Sequence, residues 1–212
     1  MKSTYPGLGE PEIVTVESNP QEWLFDEHVI ALIRFFAMNS PQRIVIVSTF
    51  YTQLIDNQID PHEIDLKVKY RTPYGTMVDM SFDDNRDLST QIEKVIVPVV
   101  LPGHFTLAIY TPSDNTIHYY DSLTFDLPDR MKLAIVHAVQ SITAIAPLFR
   151  RHALSERVHN KQKDGTFAYT CGVHTAMNAE SSIFNNDKLY DPHLNINSVR
   201  ALKKLLRRLC SV

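Results

Sequence analysis

Cysteine is nearly absent: Cys171 and Cys210 are the two in 212 residues. With two thiols, neither a disulfide framework nor a structural zinc site is expected, and reduced cysteines suit an intracellular protein, in nucleus or cytoplasm, or in a host cell if it is a secreted effector or viral protein. Tryptophan occurs once, at Trp23, and no repeat or low-complexity segment is evident. No apolar run approaches the roughly 18 residues that a membrane span requires. The opening stretch MKSTYPGLGEPEIVTVE has no apolar h-region, so a signal peptide is not expected. Cys210 does not occupy the position a prenylation box needs. The formal net charge is only −3, so no global basic field points to nucleic acid.

What is there reads as an ordinary folded chain, 44% hydrophobic and 21% charged. Pro6, Gly7, Gly9, Pro11 and Pro20 make residues 1–20 an irregular arm, leaving 21–212 as one domain, expected to be monomeric. From Asp26, able to cap the start, Val29, Ile30, Ile33, Phe36 and Ala37 recur at helical spacing until NSPQ stops the run. RIVIV (43–47) reads as a strand and STFYTQLID (48–56) as a helix. Residues 57–93 are polar and give no clear element; their acidic DDNRD reads as a solvated loop. Three strand-like segments follow at 93–100, 104–110 and 116–123, the last two joined by the turn TPSDN as a hairpin. Helical periodicity returns at 127–146, with Pro128 in the first turn. A short strand is expected at 153–158, a loop at 160–170, and helices at 171–184 and 197–209. Runs of strands and runs of helices, without strict alternation, indicate an α+β domain.

Chemistry concentrates in FAYTCGVHTAMNAE, where Cys171 stands at a loop-to-helix junction. A helix N-terminus offers unpaired N–H groups and a positive dipole end, both of which favour a thiolate. Gly172 lets backbone or substrate come close. The other reading of an isolated Cys-Gly is a buried structural cysteine. A base is available in His104, which follows LPG and opens a strand. Asp121 closes the neighbouring strand, so the open ends of the hairpin carry both residues side by side. A carboxylate that orients a histidine is what a Cys–His pair needs. Cys171 and His174 suggest a metal at first sight, but two ligands make no site. The segment NINSVRALKKLLRRLCSV sets leucines against cations; it reads as a terminal helix packed on the domain, or as a basic helix for membrane or nucleic acid.

KVIVPVVLPGHFTLAIYTPSDNTIHYYDSL followed by CG resembles the ubiquitin-like-protein-specific cysteine peptidases: the SUMO proteases and deneddylases, with the adenoviral protease as a distant relative. EWLFDEHVIALIRFF and STFYTQL resemble the same family's first helix and the segment after it. The resemblance implies a papain-like fold, a central mixed or antiparallel sheet flanked by helices, and no cofactor. It implies Cys171 as nucleophile, His104 as base and then acid, Asp121 as the residue orienting His104, and Gln162 as oxyanion donor. Trp23 and Phe105 match the two aromatics that clamp a modifier's C-terminal diglycine, and Asp26 matches an acidic residue that meets a basic one on the modifier. The partner implied is a ubiquitin-like modifier: SUMO, the neddylation modifier or ubiquitin.

Three positions depart from the family pattern. Phe105 stands where a tryptophan is usual, Thr170 where an aspartate precedes the cysteine, and Gln162 lies further from Cys171 than the family's glutamine does. An effector-type acetyltransferase and an inactive modifier-binding module remain as alternatives. The diglycine clamp speaks against the first and the intact triad against the second.

Overall fold

The computed structural model describes residues 24–56, 58–60, 67–71, 77–81, 92–122, 127–153 and 171–184. Trp23, Gln162, Thr170, Cys210, the N-terminal arm, the acidic DDNRD, the loop at 160–170 and the helix expected at 197–209 lie outside these residues. In chain order the elements are α1 (Asp26–Met38), β1 (Ile44–Val47), α2 (Thr49–Asp56), β2 (Lys67–Arg71), β3 (Met77–Ser81), β4 (Lys94–Leu101), β5 (His104–Thr111), β6 (Thr116–Asp121), α3 (Asp129–Thr143), β7 (Leu148–Ala153) and α4 (Cys171–Phe184).

The strands form one sheet in the order β3-β2-β1-β4-β5-β6-β7. β1 runs parallel to β4 and β6 parallel to β7, while the other neighbours are antiparallel, so the sheet is mixed. The fold is α+β, as expected. β2 and β3 lie within 57–93, where no clear element was legible; β7 ends at Ala153, and residues 154–158 of the strand expected at 153–158 lie outside the described residues. Pro128 precedes α3 as its N-cap rather than standing inside the first turn, and Phe25, not Asp26, is the N-cap of α1. There the His28 side chain at the third helical position accepts from the Phe25 N–H at 3.1 Å, which takes up one of the donors a helix start leaves over.

Helices cover both faces of the sheet, which is why β1 reads as an unbroken apolar run. Side-chain alternation sorts the strands between two cores. Ile44, Ile46, Ile96, Leu107 and Ile109 pack with α1 and α4. Val45, Val47, Val95, Val97, Ala108 and Tyr119 pack in the second core with Tyr51 of α2 and the buried face of α3.

Pro98 sits inside β4, where a missing N–H would ordinarily break a ladder. The paired registers of β4 with β1 stop at Ile96, and Thr52 of α2 takes over that edge. The Thr52 hydroxyl accepts from the Val100 N–H at 3.2 Å. Residues two apart share an edge, so the N–H that Pro98 lacks falls on this helix-covered side. The strand then turns through Pro102 and Gly103, with Gly103 at φ 67, a conformation glycine adopts without steric cost. Leu101 pairs with His104 across this two-residue turn, so His104 is the first residue of β5.

Candidate active site

The β5–β6 hairpin is tied at its turn by Asn115, at φ 50. Its side chain accepts from the Tyr110 hydroxyl at 3.1 Å and donates to the Ala146 carbonyl at 3.1 Å, which binds the hairpin to the start of β7. From this end the register Thr111 with Thr116 runs to Leu107 with Tyr120. Continued outward, it sets His104 and Asp121 on a diagonal of the ladder rather than directly opposite. Diagonal neighbours share a face and long side chains reach between them. Thr106 and Tyr119 repeat the same offset one step inward, and the Tyr119 hydroxyl donates to Thr106 Oγ1 at 3.0 Å.

His104 and Asp121 meet: Nε2 and Oδ1 are 2.7 Å apart, with the two side chains 2% and 1% exposed. A carboxylate acceptor at that distance puts the proton on Nε2 and leaves Nδ1 as the basic nitrogen of the neutral ring. Cys171 lies close enough to act on the same imidazole and favours its protonated form. Burial alone lowers the proton affinity of His104; the hydrogen bond to Asp121 and the negative charge of Asp121 and Cys171 outweigh it, raising the pKa to about 9.

Cys171 is the first residue of α4 and is buried, in the same core as Leu24, Val29 and Phe105. Gly172 permits a close approach: a Cβ there would lie 3.1 Å from both Leu24 Cβ and Val29 Cγ2, so these neighbours would have to give way. The close approach seats the first turn of α4 against the start of α1. As the first residue of a helix, Cys171 has a backbone N–H without an intrahelical acceptor. The helix places that N–H beside its own sulfur, where an oxyanion donor is wanted.

Phe105 is nearly covered and belongs to the same core as Cys171. Asp26 is half-buried at the first position of α1, and its Oδ2 accepts from Gln53 Nε2 at 2.9 Å and Thr49 Oγ1 at 3.5 Å. Burial would raise its pKa, but hydrogen bonds with Glu27, Gln53 and the first-turn backbone outweigh it and hold the carboxyl below its usual range. His174 is buried on α4. Trp23 and Gln162 lie outside the described residues, so the second clamp aromatic and the glutamine are not placed. Arg151, which the sequence did not single out, approaches Asp121 Oδ2 at 3.9 Å from β7. Its only signal is a position on a strand whose pairing partner ends at Asp121.

A buried His–Asp pair beside a cysteine at a helix start is a thiol-peptidase arrangement. The sequence profile described as Ulp1 protease family, C-terminal catalytic domain, matches residues 22–206. The chain belongs to the Ulp1 protease family. It is a cysteine-type peptidase domain, as that family is. Among solved structures it is similar to the SUMO protease Ulp1 with its catalytic cysteine oxidised to a sulfonic acid, at 16% identity and TM-score 0.61, covering 99% of this chain and 98% of that one. The C-terminal Ulp1 protease domain in complex with Smt3, the yeast ortholog of SUMO, gives 16% identity and TM-score 0.56, covering 99% and 98%. The Ulp1-like SUMO protease catalytic domain of Chaetomium thermophilum gives 16% identity and TM-score 0.54, covering 97% and 92%. At these identities the likeness is one of fold. No curated protein matches the chain by sequence.

Proposed function

We propose that this domain hydrolyses the bond that follows the C-terminal Gly-Gly of a ubiquitin-like modifier, with SUMO as the modifier. The observation that carries the reading is the buried 2.7 Å contact of His104 with Asp121, in a site where Cys171 opens α4 and favours the protonated imidazole. Asp121 fixes the ring with Nδ1 available to the thiol. Cys171 gives its proton to Nδ1 and the sulfur attacks the glycine carbonyl carbon. The resulting oxyanion is met by the Cys171 N–H and, in the family's manner, by Gln162. His104 then returns the proton to the leaving amine, the C–N bond breaks, and a thioester remains. Water gives a proton to His104 and attacks the thioester. The modifier leaves with a free carboxylate, and the sulfur regains its proton.

Trp23 and Phe105 hold the diglycine between aromatic faces, a slot that side chains beyond hydrogen do not pass. Asp26, held ionised from α2, meets a basic residue on the modifier. The fold of the Smt3-bound Ulp1 domain supports SUMO as the choice. Fluorogenic C-terminal amides of SUMO, the neddylation modifier and ubiquitin test it. Turnover is expected with SUMO and is expected to disappear in Cys171→Ala. Turnover of only the neddylation modifier or ubiquitin would reassign the modifier. A folded protein that cleaves none but acetylates proteins from an acetyl donor, or binds a modifier without cleaving it, would replace the peptidase reading.

A further inference from the structure

Asp121 is 1% exposed, and an ionised carboxylate so deep needs opposite charge near it. One oxygen, Oδ1, is engaged by His104. The other, Oδ2, faces the Arg151 guanidinium, whose Nη2 stands 3.9 Å away while the arginine side chain remains 34% exposed. The fold builds this approach. β7 runs parallel to β6 with Arg151 opposite Tyr119 and Ala153 opposite Asp121, so Arg151 and Asp121 lie on one face, a step apart along the ladder. The Leu148 N–H to Asn115 carbonyl bond, at 2.9 Å, fixes where β7 begins and hence the register.

A group that works as base and then as acid must give up its proton as readily as it takes it. A buried carboxylate alone makes the imidazolium hard to deprotonate. Among the described residues, the charged groups that act on this imidazole are Asp121 from β6 and Cys171 from α4. The β4 neighbour, Leu101, is apolar. Tyr119 lies deeper on the same face, where the charges of Asp121 and Arg151 act on it in opposite senses.

We propose that Arg151 is a positioning residue of the His104–Asp121 pair: its guanidinium shares the charge on Oδ2 and so limits how tightly Asp121 makes His104 hold its proton. The inference rests on the triad reading above, but its test needs no modifier, so the two stand or fall separately. The His104 ring signal, assigned by its loss in His104→Gln, is followed by NMR against pH in the full chain. Wild type, Arg151→Ala, Arg151→Gln and Arg151→Lys are compared, with near-ultraviolet circular dichroism as the check on folding.

The wild-type midpoint is expected near 9. In Arg151→Ala it is expected to move upward by about half a pH unit or more, since a nearby cation disfavours imidazolium. Arg151→Gln keeps most of the stem and is expected to follow Arg151→Ala. Arg151→Lys keeps the charge and is expected to titrate with wild type. A midpoint that stays or falls in folded Arg151→Gln overturns the proposal, and so does an Arg151→Lys that behaves like Arg151→Gln. In turnover, the neutral variants are expected to lose kcat at unchanged KM, because Arg151 acts through the acid–base pair.

Discussion

Single residues set the charge state of the site. His104, raised to about 9 by Asp121 and Cys171 against the opposing effect of burial, stays protonated whenever a negative charge resides on the sulfur at neutral pH. The leaving amine needs that proton, so kcat/KM is expected to fall along an alkaline limb near 9, read from a pH profile. Asp121→Asn removes the charge and not the shape. It is expected to cost about 10²–10⁴ in kcat and to bring the alkaline limb down toward the ordinary histidine range. An unmoved limb in that variant would separate Asp121 from the titration. His104 and Asp121 were legible in the sequence because two short turns, LPG before β5 and TPSDN after it, fix the hairpin and leave its open end to these two residues. Their diagonal offset was not legible, since register depends on the hydrogen-bonding frame of the turn. Arg151 was not legible at all; its meaning comes from a strand that lies far along the chain from β5.

Elements hold the site in place: one contact seats the helix that carries Cys171, and another ties the helices on the opposite face. The first turn of α4 rests on the start of α1 through Gly172, with Leu24 and Val29 at 3.1 Å from any added Cβ. Gly172→Ala is expected to destabilise the fold by about 1–3 kcal/mol through overpacking. By shifting Cys171 away from His104 it is expected to lower kcat more than the change in melting temperature explains; normal kcat in the folded variant would show that the seat of α4 does not set the nucleophile. The second contact joins the helices on the opposite face, where the Tyr51 hydroxyl donates to the Ala134 carbonyl at 3.0 Å inside the core. Tyr51→Phe is expected to cost about 1 kcal/mol, measured by urea unfolding, with little effect on the chemistry. α1 and α3 were readable from apolar spacing; α2 and α4 were read as helices without it, and α4 is buried over most of its surface rather than along one stripe. β2 and β3 were missed because five-residue strands among many polar residues give too short an alternation to separate from a loop. β7 was missed because LFRRHA has no alternation of its own; parallel pairing to β6 decides where it runs.

The whole molecule is a mixed sheet covered on both faces, with the site where the α1–α4 core meets the end of β5 and β6. That location ties stability to the protonation of the site. His104 has an unfolded-state value of 6.5 and a folded value of about 9, so its contribution to stability is fully present below 6.5 and is lost as pH rises through 9. The urea midpoint is expected to fall over that window in wild type and to stay flatter in His104→Gln. Equal slopes would remove His104 from the stability balance. The peptidase fold was legible as a resemblance because several motifs stand in the family's order along nearly the whole chain. The modifier was not, since surface contacts choose among proteins that share a diglycine end.

The central claim is that Cys171 attacks the carbonyl at the end of a modifier. The most direct measurement incubates wild type, Cys171→Ala and Cys210→Ala with SUMO, the neddylation modifier and ubiquitin, each carrying a C-terminal thiol-reactive warhead, and reads adducts by intact mass with the site mapped by peptide sequencing. A single SUMO adduct on Cys171, kept in Cys210→Ala and lost in Cys171→Ala, is the expected result. Folded protein that forms no adduct with any modifier, or forms it on Cys210, contradicts the account.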